Sequence, residues 1–134
     1  MNCLFCSIIA GDIPSHKVYE DESVFAFLDI GPVSKGHTLV IPKKHAASLA
    51  EGSEEEARQL MSAVYRLAPA IMRGVAADGY NLGMNHGDCA GQLVMHTHLH
   101  IMPRWNGVPR AFEKEEVSQE ELGQTAEAIR RALA

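Results

Sequence analysis

The chain has 134 residues, of which 46% are hydrophobic and 22% are charged, a composition typical of one ordinary globular domain. The formal net charge of −5 disfavours a broad nucleic-acid surface, because binding a polyanion requires clustered lysines and arginines. No apolar run approaches the ~20 residues of a membrane span, and the first residues do not resemble a signal peptide. We therefore expect one cytoplasmic domain over residues 1–134, with no nucleic-acid or membrane partner.

Three strands are predicted early in the chain, at residues 17–21, 24–29 and 37–42, where apolar runs are bounded by turn residues. The second strand is apolar at nearly every position, so we expect both of its faces to be partly buried. Gly31 and Pro32 end this strand, and Gly36 precedes the third.

Two capping-box patterns predict helices, because a serine followed three residues later by a glutamate satisfies free N–H groups of a first turn. Ser53 precedes the main helix, whose apolar positions keep the spacing of one wide face as far as Ile71. Pro69 is expected to kink or loosen its final turn. Ser118 precedes a C-terminal helix with a narrower apolar stripe.

A weaker strand is predicted at residues 80–85, and a glycine-bearing loop separates it from a fifth strand. Hairpin-like strands with one helix between strands three and four predict an α+β fold on an antiparallel sheet of about five strands. We expect the core to span residues 3–105, with a C-terminal loop and helix over residues 106–134.

Three of the seven histidines alternate in the sequence HTHLH, at His96, His98 and His100. In an extended strand, alternate side chains share one face and their Cα atoms lie about 6.6 Å apart. Pro103 is expected to prevent easy continuation of this strand. Because a buried imidazole brings two polar nitrogens that need partners, a functional site is a better interpretation of the row than a core.

The residues alone leave two kinds of chemistry open. An H-x-H pair with a third histidine is a known zinc arrangement, so a zinc-dependent hydrolase with the histidine row as ligands is one hypothesis. Neutral imidazole is also a nucleophile and a general acid or base, so direct attack by one histidine is the other.

The segment GQLVMHTHLHIMPR, with the upstream segments GHTLVIPKKH and FAFLDI, resembles the histidine-triad (HIT) nucleotide-binding proteins, the Hint-like branch in particular. The resemblance runs from Cys3 to about Trp105. It implies the HIT-like fold, a homodimer, and a hydrolase of purine nucleoside phosphoramidates or related nucleotidyl substrates.

The resemblance implies that His98 attacks the α-phosphorus and forms a covalent nucleotidyl-histidine, which water then hydrolyses. Imidazole suits two successive displacements, since it is both a nucleophile and a leaving group. His96, His100 and His37 are implied to orient His98, donate to phosphate oxygens and assist proton transfer. No metal is then required for the reaction.

A nucleotide pocket is implied by the same resemblance. Asp29 would bind the ribose hydroxyls, and Asn85 and Gln92 would contact the α-phosphate. The apolar walls around the base would be Phe5, Ile8, Phe27 and Ile30. Leu93 stands where some relatives carry a hydroxyl residue, and this departure motivates a third hypothesis, a nucleotide-binding module with little turnover.

Three cysteines, an odd number, argue against a disulfide framework, and Cys89 is expected to be a free thiol. Cys3 and Cys6 form a C-x-x-C pair that can join two histidines in a closed, structural zinc site. We choose His45 and His96 as the other ligands, since His45 follows the third strand and His96 is the triad member nearest the start of its strand. Two free thiols are the alternative.

Overall fold

The computed structural model describes residues 3–134, which form a five-stranded sheet with antiparallel pairing throughout. The strands are Lys17–Glu20 (β1), Val24–Leu28 (β2), Thr38–Pro42 (β3), Gly79–Gly83 (β4) and Leu99–Arg104 (β5), in the spatial order β1-β2-β3-β5-β4. The α-helices are Leu4–Ala10 (α1), Glu54–Val75 (α2) and Gln119–Leu133 (α3). The predicted α+β fold is confirmed. None of the helices in residues 3–134 combines the length and apolar composition that crossing a bilayer requires.

The central strands β2 and β3 are buried along their whole length because both faces of the sheet are covered. Val24, Ala26 and Leu28 belong to an apolar cluster that includes side chains of α2 and α3. Phe25 and Phe27 point the other way and cluster with apolar residues of α1. We call the side of the sheet with the first cluster the α2 face and the side with the second cluster the α1 face. Alternate side chains of β2 enter the two clusters, which confirms that both faces of the second strand are buried.

The main helix, α2, begins at a complete capping box. The Ser53 hydroxyl accepts a hydrogen bond from the Glu56 N–H, and the Glu56 carboxylate accepts one from the Ser53 N–H. The helix continues through Pro69 to Val75, beyond the predicted final turn. Pro69 lies on the exposed side of the helix, where water can bond the carbonyl that its missing N–H leaves free.

The C-terminal helix, α3, packs against α2 on the α2 face of the sheet. Its buried Leu122, Ala126 and Ile129 join the cluster described above. The two helices approach closely at Gly74, where an added Cβ would lie 3.0 Å from the Ile129 Cα. The structure therefore identifies what the narrow apolar stripe of the last helix covers.

The start of the histidine strand differs from its prediction. Of the three histidines, only His100 lies in β5, and His96 and His98 lie in the segment before it. Both the N–H and the hydroxyl of Thr97 donate to the Ala46 carbonyl, which ties this segment to the chain after β3. The three side chains therefore do not form one regular row on a strand.

The end of this strand also differs, since β5 continues through Pro103 to Arg104. Pairing between β3 and β5 stops at Ile101, so the missing N–H of Pro103 breaks no bond to β3. Pro103 thus costs no bond on the β3 side, while β4 still pairs with this end of β5, with Tyr80 opposite Pro103.

Helix α1 was not predicted. Cys3 caps its first turn, with its sulfur accepting from the Cys6 N–H at 3.4 Å, and Gly11 ends it in the left-handed region with φ of 85°. Cysteine is not among the usual capping residues, so no capping pattern indicated this short helix.

Candidate active site

A cavity of about 740 Å³ opens on the α1 face of the sheet. Its walls come from α1, the end of β2, strands β4 and β5, and the segment between β5 and α3. Nine of the predicted site residues line it: Phe5, Ile8, Phe27, Asp29, Ile30, His37, Asn85, His98 and His100. The fold thus brings together most of the residues that the resemblance assigned to one site.

His98 has one ring nitrogen committed to the backbone. Its Nδ1 lies 2.7 Å from the carbonyl oxygen of His96. A carbonyl only accepts, so Nδ1 must carry the proton and donate, and in the neutral ring Nε2 keeps its lone pair. The rings of Phe5 and His100 pack edge-on at 5.1 and 4.9 Å between centroids and fix the orientation of the His98 ring.

The tautomers of His37 and His100 follow from a chain of hydrogen bonds. The Val33 N–H donates to Nδ1 of His37 at 3.1 Å, so the His37 proton is on Nε2. That Nε2 lies 2.9 Å from Nδ1 of His100 and donates to it. The neutral His100 ring must then carry its own proton on Nε2, as a donor in a residue that lines the cavity.

Both of these rings are held neutral at pH 7. Burial, together with the neighbouring His37 and His98, lowers the pKa of His100 to about 4. Burial also lowers the pKa of His37, although the Asp29 carboxylate, 3.8 Å from its Nε2, opposes this shift. Neutral rings are what the alternating donor and acceptor roles above require.

Asp29 lies just after β2 and presents a carboxylate to the cavity. One oxygen, Oδ1, accepts from the Gly31 N–H at 2.8 Å, which fixes the side chain against its own turn. The other oxygen, Oδ2, faces His37, and a fifth of the side chain stays exposed. Asp29 therefore offers acceptor capacity to a ligand without losing its support.

Two of the predicted catalytic and nucleotide-binding residues, Gln92 and His96, lie outside the cavity lining. Gln92 is 2% exposed and its amide is engaged on both sides. Its Oε1 accepts from the Gly87 N–H, and its Nε2 donates to the carbonyls of Ala47 and Val94. Gln92 thus braces the loop before the histidine segment. Asn85, by contrast, lines the cavity and stays exposed.

The cavity also has a wall that sequence reasoning missed. Arg110, Phe112 and Lys114 line it, from the stretch predicted as a plain loop. The Arg104 guanidinium supports this stretch by donating to the Ala111 carbonyl at 2.7 Å and by covering the Phe112 ring. The alternation of charged and aromatic residues at 110, 112 and 114 was the signal available in the sequence.

A separate cluster of ligand-type side chains lies at the start of α1. It consists of Cys3, Cys6, His45 and His96. His96 donates through Nε2 to the Pro42 carbonyl, so its Nδ1 lone pair faces the other three side chains. That Nδ1 lies 3.4 Å from Cys3 Sγ, 3.6 Å from Cys6 Sγ and 3.2 Å from His45 Nδ1. Four ligands at the usual zinc bond lengths are about 3.3 to 3.8 Å apart in a tetrahedron, so the donor set fits zinc.

The three triad histidines do not converge on one point. His96 turns its free nitrogen to the cysteines, whereas His98 and His100 line the cavity. Asp29, His37 and His100 form a second group of side chains that could ligate a metal ion. The hydrogen bond between His37 and His100 explains why these two rings lie close together. The arrangement gives no support to the hypothesis that the histidine row holds one catalytic zinc.

The sequence from residue 10 to residue 107 matches the HIT domain, and the chain belongs to that family. It is 56% identical over 104 residues to Protein hit of Bacillus subtilis, covering 78% of this chain and 72% of that protein. It is 41% identical over 132 residues to adenosine 5'-monophosphoramidase hnt1 of Schizosaccharomyces pombe, covering 96% of each. Adenylylsulfatase HINT3 of Arabidopsis thaliana is 42% identical over 103 residues, which are 77% of this chain and 52% of that protein.

Solved structures of HIT proteins share the whole fold. A Hit-like protein involved in cell-cycle regulation from Bartonella henselae superposes with a TM-score of 0.92 at 37% identity, covering 98% of this chain and 96% of the other. A zinc-bound histidine triad family protein from Mycobacterium smegmatis superposes with a TM-score of 0.90 at 39% identity, covering 99% and 94%. The similarity therefore includes α1 and α3 as well as the sheet.

Proposed function

We propose that this protein hydrolyses purine nucleoside phosphoramidates or related nucleotidyl substrates at the α-phosphorus, through a nucleotide bound covalently to His98. The observation that carries the proposal is the hydrogen bond from His98 Nδ1 to the His96 carbonyl, which leaves Nε2 as the nucleophilic atom. The relatives named as an adenosine monophosphoramidase and an adenylylsulfatase support a nucleotide as the substrate.

The nucleotide is expected to fill the cavity from the apolar end to the histidines. Asp29 accepts hydrogen bonds from the ribose hydroxyls, and Asn85 and the Nε2–H of His100 donate to phosphate oxygens. Gln92 supports the phosphate end through the loop that it braces. The base packs between the side chains of Phe5, Ile8, Phe27 and Ile30.

The reaction takes two in-line displacements. In the first, His98 Nε2 forms a bond to phosphorus, and the leaving group departs with the electron pair of its own bond to phosphorus, an amine taking up a proton from solvent as it leaves. The ring becomes positively charged, and its Nδ1–H remains bonded to the His96 carbonyl, which stabilises that charge. In the second, water attacks phosphorus, His98 leaves as a neutral ring, and the nucleoside monophosphate is released.

The decisive variant is His98→Ala, assayed with a fluorogenic adenosine phosphoramidate. Removing the nucleophile should reduce kcat/KM by at least about 10³-fold. His86→Ala is the matched control, since His86 is exposed and does not line the cavity, and it should keep wild-type activity. Undiminished turnover by His98→Ala contradicts the proposal, and tight binding of a nucleoside monophosphate without any turnover favours a binding module instead.

Cys3, Cys6, His45 and His96 hold a structural zinc in this proposal, and the zinc takes no part in the displacements. Four protein ligands close the coordination shell, so the ion would supply only a cross-link from α1 to the histidine segment and the chain after β3. The ligand distances above and the zinc-bound Mycobacterium smegmatis protein support this assignment. Two free thiols bonded to the imidazoles are the alternative.

The protein is also expected to form a homodimer in the cytoplasm. Large apolar side chains are exposed on the outer side of α2, with Tyr65 at 83% and Met61 at 50%, and Tyr80 is exposed on β4. β4 lies at the edge of the sheet. An exposed apolar patch beside an unpaired strand edge is typical of a surface that another copy covers.

A further inference from the structure

Residues 110–114, which we call the strap, form one wall of the cavity. Every second residue of the strap lines it, namely Arg110, Phe112 and Lys114. This alternation is that of extended backbone, in which every second side chain shares a face. The strap lies beyond residue 107, where the match to the HIT domain ends, so this wall lies outside the part of the chain that the family domain defines.

The strap has no apolar anchor of its own, because all of its residues are exposed. Its position therefore depends on hydrogen bonds. Within residues 3–134, two such bonds join the strap and the residue after it to the rest of the chain. The Ala111 carbonyl accepts from Arg104 Nη1 at 2.7 Å, and the Glu115 N–H donates to the Pro32 carbonyl at 2.7 Å. These two points set where the cavity-lining side chains lie.

The second end of the strap lies against the turn that carries Asp29. A Cβ added at Gly31 would lie 3.4 Å from Cδ of Lys114 and 3.9 Å from Oδ1 of Asp29. The stem of Lys114 therefore packs beside the carboxylate that we assign to the ribose hydroxyls. The strap thus closes the cavity next to the position proposed for the sugar of the nucleotide.

The first end of the strap is held by Arg104, the last residue of β5. Besides the bond to the Ala111 carbonyl, its guanidinium carbon lies 4.9 Å from the centre of the Phe112 ring, so it also supports that side chain. Its Nε donates to Asn81 Oδ1 at 2.9 Å on the paired strand β4. Arg104 therefore fixes the strap to the sheet itself.

The surroundings of Arg104 do little to stabilise its charge. The side chain is half-buried, and its Nη2 is buried without a hydrogen-bond partner within residues 3–134. In the same part of the chain it forms no ion pair with an acidic side chain. Burial and the charge of Arg110 lower the pKa of Arg104. A half-buried cation of this kind is a poor source of stability, so the segment that it positions explains it better.

We propose that Arg104 is a positioning residue for nucleotide binding, which holds the strap in place as the wall that closes the cavity beside the bound nucleotide. This inference rests on the proposed function. Arg104 does not itself line the cavity, so it acts through the strap. The bond that orients His98 comes from the His96 carbonyl and not from the strap. Loss of Arg104 should therefore weaken nucleotide binding and leave the chemical step nearly unchanged.

The first test uses the R104Q variant, with the Kd of adenosine 5'-monophosphate measured by calorimetry and the kinetics measured with an adenosine phosphoramidate. Kd and KM should rise at least about fivefold, while kcat should change less than about twofold. R104K should recover part of the loss, since its ammonium can still donate to the Ala111 carbonyl. R73Q is the matched control, because Arg73 donates to the Ala132 carbonyl at 2.9 Å from an exposed position outside the cavity, and it should leave all three values unchanged.

The second test asks whether Arg104 acts through the strap. R110A/F112A/K114A removes the three cavity-lining side chains at exposed positions, so it should raise Kd while the fold is kept. Adding R104Q to this variant should raise Kd less than about twofold further, because the two changes remove one shared interaction.

Fully additive losses, an unchanged Kd in R104Q or in R110A/F112A/K114A, or a fall in kcat at unchanged Kd would overturn the inference. If R104Q does not fold, the triple variant and R104K decide in the same way. A wild type that binds adenosine 5'-monophosphate without any turnover refutes the proposed function alone, since Kd still tests Arg104. A wild type that does not bind this nucleotide refutes both.

Discussion

At the scale of single residues, the proposed nucleophile and its neighbour are linked through the backbone. His98 is oriented by the carbonyl of His96, while the side chain of His96 faces the cysteines. A substitution at His96 therefore keeps the backbone acceptor that sets the His98 tautomer. The two histidines serve different sites although they are two residues apart.

Asp29 provides a direct test of how ribose is bound. Asp29→Asn keeps an acceptor for the Gly31 N–H but replaces the other carboxylate oxygen with a donor, so KM for a ribonucleotide substrate should rise about tenfold or more. For the wild type, a 2',3'-dideoxy substrate should have a KM higher than that of the ribonucleotide by a similar factor. For the variant, removing the two hydroxyls should raise KM much less. Equal losses for both proteins would show that Asp29 does not contact the ribose.

The buried histidines should make stability depend on pH. Burial and the neighbouring histidines lower the pKa of His100 from 6.5 to about 4. Its contribution to the free energy of unfolding is therefore complete above pH 6.5 and is lost as the pH falls towards 4. Because of this shift at His100, we expect the free energy of unfolding to drop by roughly 2 to 3 kcal/mol between pH 7 and pH 4. Urea titrations across this range measure it. His100→Gln should show a smaller drop, and an unchanged drop would count against this origin.

Sequence reasoning identified the chemistry of most site residues but not where each side chain points. Nine predicted residues line the cavity, yet Gln92 and His96 do not. Their directions depend on bonds to residues far along the chain, from Gln92 to Ala47 and from His96 to Pro42. A local pattern contains no information about such partners.

At the scale of elements, α1 is the piece whose position depends most on the cysteine and histidine cluster. It has seven residues, too few to be stable as an isolated helix, and Cys3 and Cys6 are at its start. Its Phe5 and Ile8 form part of the cavity wall. Whatever fixes the cysteines therefore also fixes one wall of the proposed base pocket.

Zinc removal should test this dependence. Cys6→Ser should lower bound zinc from about one per chain to near zero and lower Tm by roughly 5 °C or more, because a cross-link from α1 is lost. Cys89→Ser is the matched control, since Cys89 is exposed and outside the cluster, and should change neither value. A wild-type protein that contains no zinc after growth and purification with zinc supports free thiols instead.

The elements that sequence reasoning predicted are those with local signals. The capping serines, the apolar stripes of α2 and α3, and the apolar runs of β1 to β3 are all readable from neighbouring residues. The start of β5 is not, because Thr97 bonds to Ala46, 51 residues away. Helix α2 continues past Pro69, which lies on its exposed side, and β5 continues through Pro103, where pairing with β3 has already ended.

At the scale of the whole molecule, the two faces of the sheet have different tasks. The α2 face holds the larger apolar cluster, which α2 and α3 complete. The α1 face holds the smaller cluster, the zinc-type ligand set and the cavity. Substitutions on the first face should act mainly on stability, and substitutions on the second mainly on ligand binding and turnover.

The exposed side of α2 gives a test of the homodimer. Tyr65→Arg places a charge in the proposed interface, and at micromolar concentration it should shift the mass measured by light scattering from two chains towards one. The control is Arg58→Gln, which changes an exposed side chain on the same helix. The neighbouring Gln59 is half-buried, so a change there would also alter packing. A wild-type protein that is monomeric at all concentrations contradicts the dimer.

The stereochemical course at phosphorus tests the central claim most directly. A substrate with a chiral phosphorothioate group can be hydrolysed in isotopically labelled water and the configuration of the product determined. Each in-line displacement inverts phosphorus, so attack by His98 followed by attack by water predicts overall retention. Overall inversion would mean that water attacks the substrate directly, which contradicts a covalent nucleotidyl-His98 intermediate.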